Sequence, residues 1–124
     1  MAKAYGKKVW LFADGYWDSH SNGLYPSHES VCVLNTSDQD AEIHITLYFE
    51  DREKMDGFVS FCKAERTHHI RMDKLVNKDG KPVPQDVPYA ILLESNVEVV
   101  CQYSRLDSAQ AEMALMTTMG YVGE

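Results

Sequence analysis

The sequence has no Cys-x-x-Cys spacing, no concentrated basic patch and no apolar run approaching the roughly 20 residues that cross a bilayer. Each absence removes a class of protein. The three cysteines, Cys32, Cys62 and Cys101, lie far apart in apolar or alternating segments. An odd count of this kind points to reduced thiols used as small buried hydrophobes, and so to the cytoplasm. After Lys7-Lys8 the apolar run 9–12 is interrupted by Asp14 and Asp18, which leaves no signal-peptide core. Lys and Arg number 12 against 19 Asp and Glu, a formal net charge of -7. Phosphate backbones repel such a surface unless its basic residues cluster. The densest basic stretches are 7–8 and 66–74, and the second is interleaved with acids and histidines. With no helix-turn-helix pattern either, nucleic acid is the least favoured partner.

Signs of catalysis are equally sparse. There is no Gly-x-Ser-x-Gly elbow, no phosphate loop and no dinucleotide fingerprint. His28-Glu29 begins like a zinc-protease motif, but its fifth position is Cys32 and the segment reads as a strand. His68-His69 are neighbours on an expected strand, so they point to opposite faces and do not readily share an ion. One of them is expected partly buried and the other in solvent; His44, on the polar face of its strand, is expected at the surface. A Cys–His nucleophile could still be assembled in space, but no local pattern points to one. The expectation is a non-enzymatic protein with no metal and no cofactor.

What is present is a β pattern. The chain has 124 residues, 44% hydrophobic and 10% aromatic, enough to fill one core, and residues 1–124 read as a single domain. Residues 41–50 are the clearest strand: Ile43, Ile45, Leu47 and Phe49 alternate with Glu42, His44, Thr46 and Tyr48. Further strands are expected over 7–14, 29–35, 57–63, 66–72, 89–94 and 97–106. The last two are set apart by a turn at Ser95-Asn96, and 29–35 forms a hairpin with 41–50. Residues 15–26 and 73–87, with their glycines and prolines, are loops. The tail after Asp107 offers both a capping box, Asp107 with Gln110, and a methionine stripe at Met113, Met116 and Met119; Thr117-Thr118 and Gly120 favour an extended end over a helix. About seven or eight short strands define an all-β domain, an antiparallel β-sandwich of jelly-roll-like form.

Three segments at strand ends carry hydrogen-bonding chemistry: Gly15-Tyr16-Trp17, His28-Glu29 and the stretch from Ser104 to Ser108. Tyr16 and Trp17 could stack on the apolar face of a small polar molecule such as a sugar. His28, Glu29, Arg105, Asp107 and Ser108 could meet its hydroxyls. The competing reading makes Arg105 with Asp107 or Glu29 a structural ion pair and Trp17 a plug over the core.

Several blocks in order resemble the sensory rhodopsin transducer family. They are Ser27-His28-Glu29-Ser30-Val31-Cys32-Val33-Leu34-Asn35 with Asp40-Ala41-Glu42-Ile43, Glu65-Arg66-Thr67-His68-His69-Ile70-Arg71, Ser95-Asn96-Val97, and Ser104-Arg105-Leu106-Asp107-Ser108-Ala109-Gln110-Ala111-Glu112. The resemblance runs from about Trp10 to the last residues. It implies a small β-sandwich assembling as a cyclic homotetramer, and a cytoplasmic role. In some members that role is as signalling partner of a membrane photoreceptor, in others as a module binding a small molecule, a sugar above all; a DNA-associated role is also attached to the family. The primary expectation is therefore a sensing module for a small polar, sugar-like ligand. The alternatives are a transducer docking on a membrane receptor, or a DNA-binding regulator.

Overall fold

The computed structural model describes residues 2–123. Eight antiparallel strands are present: β1 (Lys7–Tyr16), β2 (His28–Asn35), β3 (Ala41–Phe49), β4 (Met55–Cys62), β5 (Arg66–Arg71), β6 (Pro88–Asp107), β7 (Ala114–Met119) and β8 (Tyr121–Val122). The only helical piece among the described residues is a 3-10 turn, Met72–Lys74. The all-β sandwich expected from the sequence is the fold observed. Among the described residues, no helix is long and apolar enough to cross a membrane.

The organising element is β6, 20 residues long. Its first part pairs with β1 and β3, and its second part with β2 and β7. One sheet thus runs β4-β3-β6-β1-β8 and the other β5-β2-β6-β7, with β6 common to both. The expected turn at Ser95-Asn96 does not exist. Ser and Asn favour turns because their side chains compete for backbone groups. Here those side chains serve the sheet instead: Ser95 Oγ accepts the Val97 N–H at 3.3 Å, and Asn96 Oδ1 accepts the Glu42 N–H at 2.7 Å.

The expected hairpin of β2 with β3 is also absent. β2 pairs with β5 and β6, whereas β3 pairs with β4 and β6, so the connection 36–40 carries the chain from one sheet to the other. Buried Asn35 builds this corner. Its amide nitrogen donates to the carbonyls of Gln39 (2.7 Å) and Cys62 (3.0 Å), while its Oδ1 accepts the Ser37 N–H (3.0 Å) and hydroxyl (2.8 Å).

Alternation places Val31, Val33, Ile43, Ile45, Leu47, Ile91, Leu93, Val99 and Cys101 in one core with Phe58, Trp10 and Phe12. β1 extends to Tyr16, so Gly15 and Tyr16 are strand rather than loop. The Gly15 Cα faces the Tyr89 ring, where a Cβ would lie 2.6 Å from a ring carbon. At the other end, the tail is extended as favoured; β7 is exposed at every position and β8 pairs with β1 at Trp10 and Leu11.

Candidate functional site

The candidate residues divide among several places. Glu29 is fully buried, held between β1 and β6 by its position one residue into β2. Its carboxylate accepts the Tyr16 backbone N–H at 2.5 Å and the hydroxyls of Tyr89 and Tyr103. Arg105, directly opposite Glu29 in the β2–β6 register, brings Nε to 3.6 Å of the Glu29 carboxylate and donates from Nε to the Tyr103 hydroxyl at 3.1 Å. Arg105 Nη2 reaches Asp14, at 3.3 Å from the carbonyl and 3.5 Å from the carboxylate. The guanidinium also stands over the Tyr103 ring, 5.7 Å from its centroid.

This cluster is closed on itself. No buried side-chain nitrogen or oxygen among the described residues lacks a partner. Burial raises the Glu29 carboxyl above its ordinary range, opposed by the Tyr89 hydroxyl, the Tyr16 N–H and Arg105. Burial and the nearby Glu29 charge likewise push the Tyr89 phenol up, so it stays a donor. A raised acid pKa means that the folded state holds its proton more tightly than the unfolded chain. This contribution is whole below the usual glutamate range and is lost as pH rises through the folded pKa. Urea midpoints measured from about pH 4 to 8 should show this downward component in the native protein and not in Glu29→Gln.

The other candidates lie elsewhere. Trp17 packs against the core, as the plug reading anticipated, and its carbonyl accepts the Asp86 N–H at 2.8 Å. Tyr16 contributes its backbone to Glu29; its phenol is pushed up by burial and by Asp86 and Asp18. Ser108 is buried and joins a second network, with its N–H to Ser27 Oγ (2.9 Å) and its hydroxyl to the Tyr25 carbonyl (2.6 Å). Asn22 adds bonds to the carbonyls of Ser108 (2.6 Å) and Ala109 (2.5 Å), so the aromatic-rich loop 17–27 is fastened to the end of β6. Asp107 ends β6 and its Oδ1 accepts the Ala109 N–H at 2.9 Å. His28 is half-buried, and its ring Nδ1 lies 2.8 Å from the Pro26 carbonyl. His68 and His69 are both exposed, which corrects the expectation that one is partly buried: β5 is a sheet edge, covered on one side only. His44 is exposed as expected.

The open spaces are lined for the most part by other residues. A cavity of 380 Å³ lies between β1, β3, β6 and the tail, walled by Leu11, Tyr48, Met116, Met119 and Tyr121, and it touches the closed network only at Asp14 and Tyr103. A second, of 430 Å³, is formed by Asn22, Gly23, Leu24, Tyr25, Ala111 and Met113. Sequence reasoning missed Tyr89 and Tyr103 because each sits in a run that reads as apolar. The signal was there: a buried tyrosine hydroxyl must find a partner.

Among the described residues, one cluster has the spacing of a metal site. Asp18, His20 and Asp86 bring their ligand atoms within 4.8 Å of one another. Asp18 already pairs with the His20 ring at 3.0 Å, and Asp86 accepts the Ser19 N–H at 2.9 Å and its hydroxyl at 2.5 Å. These bonds clasp loop 17–27 to the segment before β6 without need of an ion.

Two antiparallel sheets sharing one long strand define an antiparallel β-sandwich, and a tyrosine–carboxylate–guanidinium network lies inside it. The chain is similar in fold to solved structures that include Thermotoga maritima 1070, 41% identical over 96% of this chain and 97% of that one with a TM-score of 0.86, and the Anabaena sensory rhodopsin transducer, 37% identical over 82% and 96% with a TM-score of 0.72. The family described as Anabaena sensory rhodopsin transducer matches residues 5–122, and the chain belongs to that family. No curated protein sequence matches it.

Proposed function

We propose that this chain is a non-enzymatic signalling adaptor of the cytoplasm, a homotetramer whose acidic surface docks on the basic inner face of a membrane receptor. The partner of the named Anabaena relative makes a photoreceptor the first candidate. The observation that carries this reading is a contrast. The polar groups that would grip a small ligand, Glu29, Arg105 and Ser108, are satisfied internally, while β7, which bears no charge, lies wholly exposed. Leu115 is 75% and Met119 55% exposed, surface that subunit contact would cover. The net charge of -7 suits the Lys- and Arg-rich faces that receptors present to the cytoplasm. Immobilised peptides from such loops should retain the protein at about 50 mM salt and release it at about 0.5 M, where screening shortens to a few ångströms. Retention that does not change with salt would count against electrostatic docking.

One observation favours a second reading, a sugar-like ligand. The Tyr25 ring, 59% exposed, offers a stacking face to the 430 Å³ cavity beside Asn22. The site would then be that cavity rather than the Glu29–Arg105 network. A thermal-shift panel of sugars and sugar phosphates tests it, since a ligand at 100 times its dissociation constant adds about 2.7 kcal/mol.

A further inference from the structure

Along β2 the alternation turns Glu29, Val31, Val33 and Asn35 inward and leaves Cys32 and Leu34 on the outer face of the second sheet. Register sets His69 of β5 directly opposite Cys32 on one side and Gln102 of β6 directly opposite on the other. Directly paired residues point to the same side, with Cβ atoms roughly 4.5–5.5 Å apart. Cys32, His69 and Gln102 also line a common groove of 350 Å³, completed by Thr67, Val100 and Ser104. No carboxylate lines it, so no like charge opposes a thiolate there. The next outward residue of β5, Arg71, is already paired with Asp73 at 2.8 Å. Gln102 is held at this face by its bond to Thr117 Oγ1 at 2.5 Å.

The other two thiols are placed against reaction. Cys62 is buried, with its Sγ directed at the carbonyls of Arg66 (3.3 Å) and Val33 (3.8 Å), and burial raises its pKa. Burial pushes the Cys101 thiol up to about 12. Cys32 alone combines access, an imidazole neighbour and room for an added group.

We propose that Cys32 is a thiol-modification site that accepts half of a low-molecular-weight disulfide, with His69 as the proton acceptor. The Cys32 thiol gives its proton to the His69 imidazole, and the thiolate sulfur forms a bond to one sulfur of the small disulfide. The S–S bond of that disulfide breaks, and its departing thiolate takes the proton from the imidazolium. The products are a mixed disulfide on Cys32 and one free small thiol; no electron is gained or lost overall.

Oxidised glutathione is the probe, applied to the full native chain and read by intact mass and peptide mapping. The expected result is one adduct per chain, on the peptide holding Cys32, removed by dithiothreitol and absent in Cys32→Ser. His69→Gln should slow the reaction about three- to tenfold near pH 7, with the two rates converging at alkaline pH, where hydroxide takes the proton in place of the imidazole. A purely structural role for His69 would not produce that convergence. The proposal is overturned by the absence of an adduct, by modification at Cys62 or Cys101 in the folded protein, or by equal rates for native and His69→Gln across the pH range.

Discussion

Replacing Glu29 by alanine is expected to lower the free energy of unfolding by about 3–5 kcal/mol, read as a drop in the urea midpoint at constant slope. The effect comes from what the carboxylate leaves behind. The Tyr89 and Tyr103 hydroxyls and the Tyr16 N–H would lose their acceptor at once. Each buried donor left unmade costs about 1–3 kcal/mol. The void left by the missing carboxylate adds a packing loss. Arg105 adds less, because its side chain is 23% exposed and can turn to water. Glu29→Gln keeps the volume and one oxygen acceptor but turns an amide N–H toward donors, so about 1–3 kcal/mol is expected. A loss below about 1 kcal/mol for the alanine variant would show that water replaces the carboxylate and that the cluster is open enough to admit ligand.

That cluster shows how far the sequence could be read. Glu29 and Arg105 stood out as charges at strand ends, and the choice between ligand site and structural pair was visible. The structural reading has the geometry behind it because two tyrosines complete the coordination, and neither tyrosine disturbs an apolar run. The alternation in β3 was legible because one face is buried and the other wet. The path of β6 was not, since local turn preference at Ser95-Asn96 is overridden by bonds whose partners are Val97 nearby and Glu42 far away in sequence. The corner at 36–40 was hidden for the same reason: a short polar connection fits a hairpin or a change of sheet equally well, and Asn35 decides it through contacts with β4. Loop 17–27 looked like a binding loop because it is rich in hydrogen-bonding groups, many of which fasten it to Ser108, Ala109 and Asp86.

The second large effect concerns assembly. If the chain assembles as proposed above, introducing Met116→Glu together with Met119→Glu should convert that homotetramer to single chains, an about fourfold fall in mass by light scattering. Both side chains are exposed in the isolated chain, so the fold itself should survive and the far-ultraviolet spectrum should not change. In the proposed symmetric assembly each substitution would recur in every subunit, so carboxylates would meet at β7, a strand that carries no charge in the native chain. The other sheet edges are guarded differently. β5 carries Arg66, His68, His69 and Arg71, and β4 carries Asp56 at a register shift of its own, devices that discourage strand pairing between molecules. The free side of β7 has no such guard, which is why the proposed subunit contact is placed there. An unchanged mass would move that contact elsewhere, and a native protein that is already a monomer would end the tetramer reading.

The long shared strand also governs the order in which this chain can fold as it is made. β1, β2 and β3 each find a principal hydrogen-bonding neighbour in β6, yet Trp10 pairs with Leu93 and Glu29 with Arg105, separations spanning most of the chain. On a ribosome delivering residues from the N-terminus, the early strands must wait with open edges until β6 emerges. Only local pairings such as β3 with β4 are available sooner. Neither sheet can close first and serve as template for the other, because both close on the same strand. Loop-closure entropy must be met before those contacts form, which sets such folds among the slower small domains. The interval before residue 107 is synthesised is therefore the period in which this protein is most exposed to aggregation, and the period in which a chaperone has most to protect.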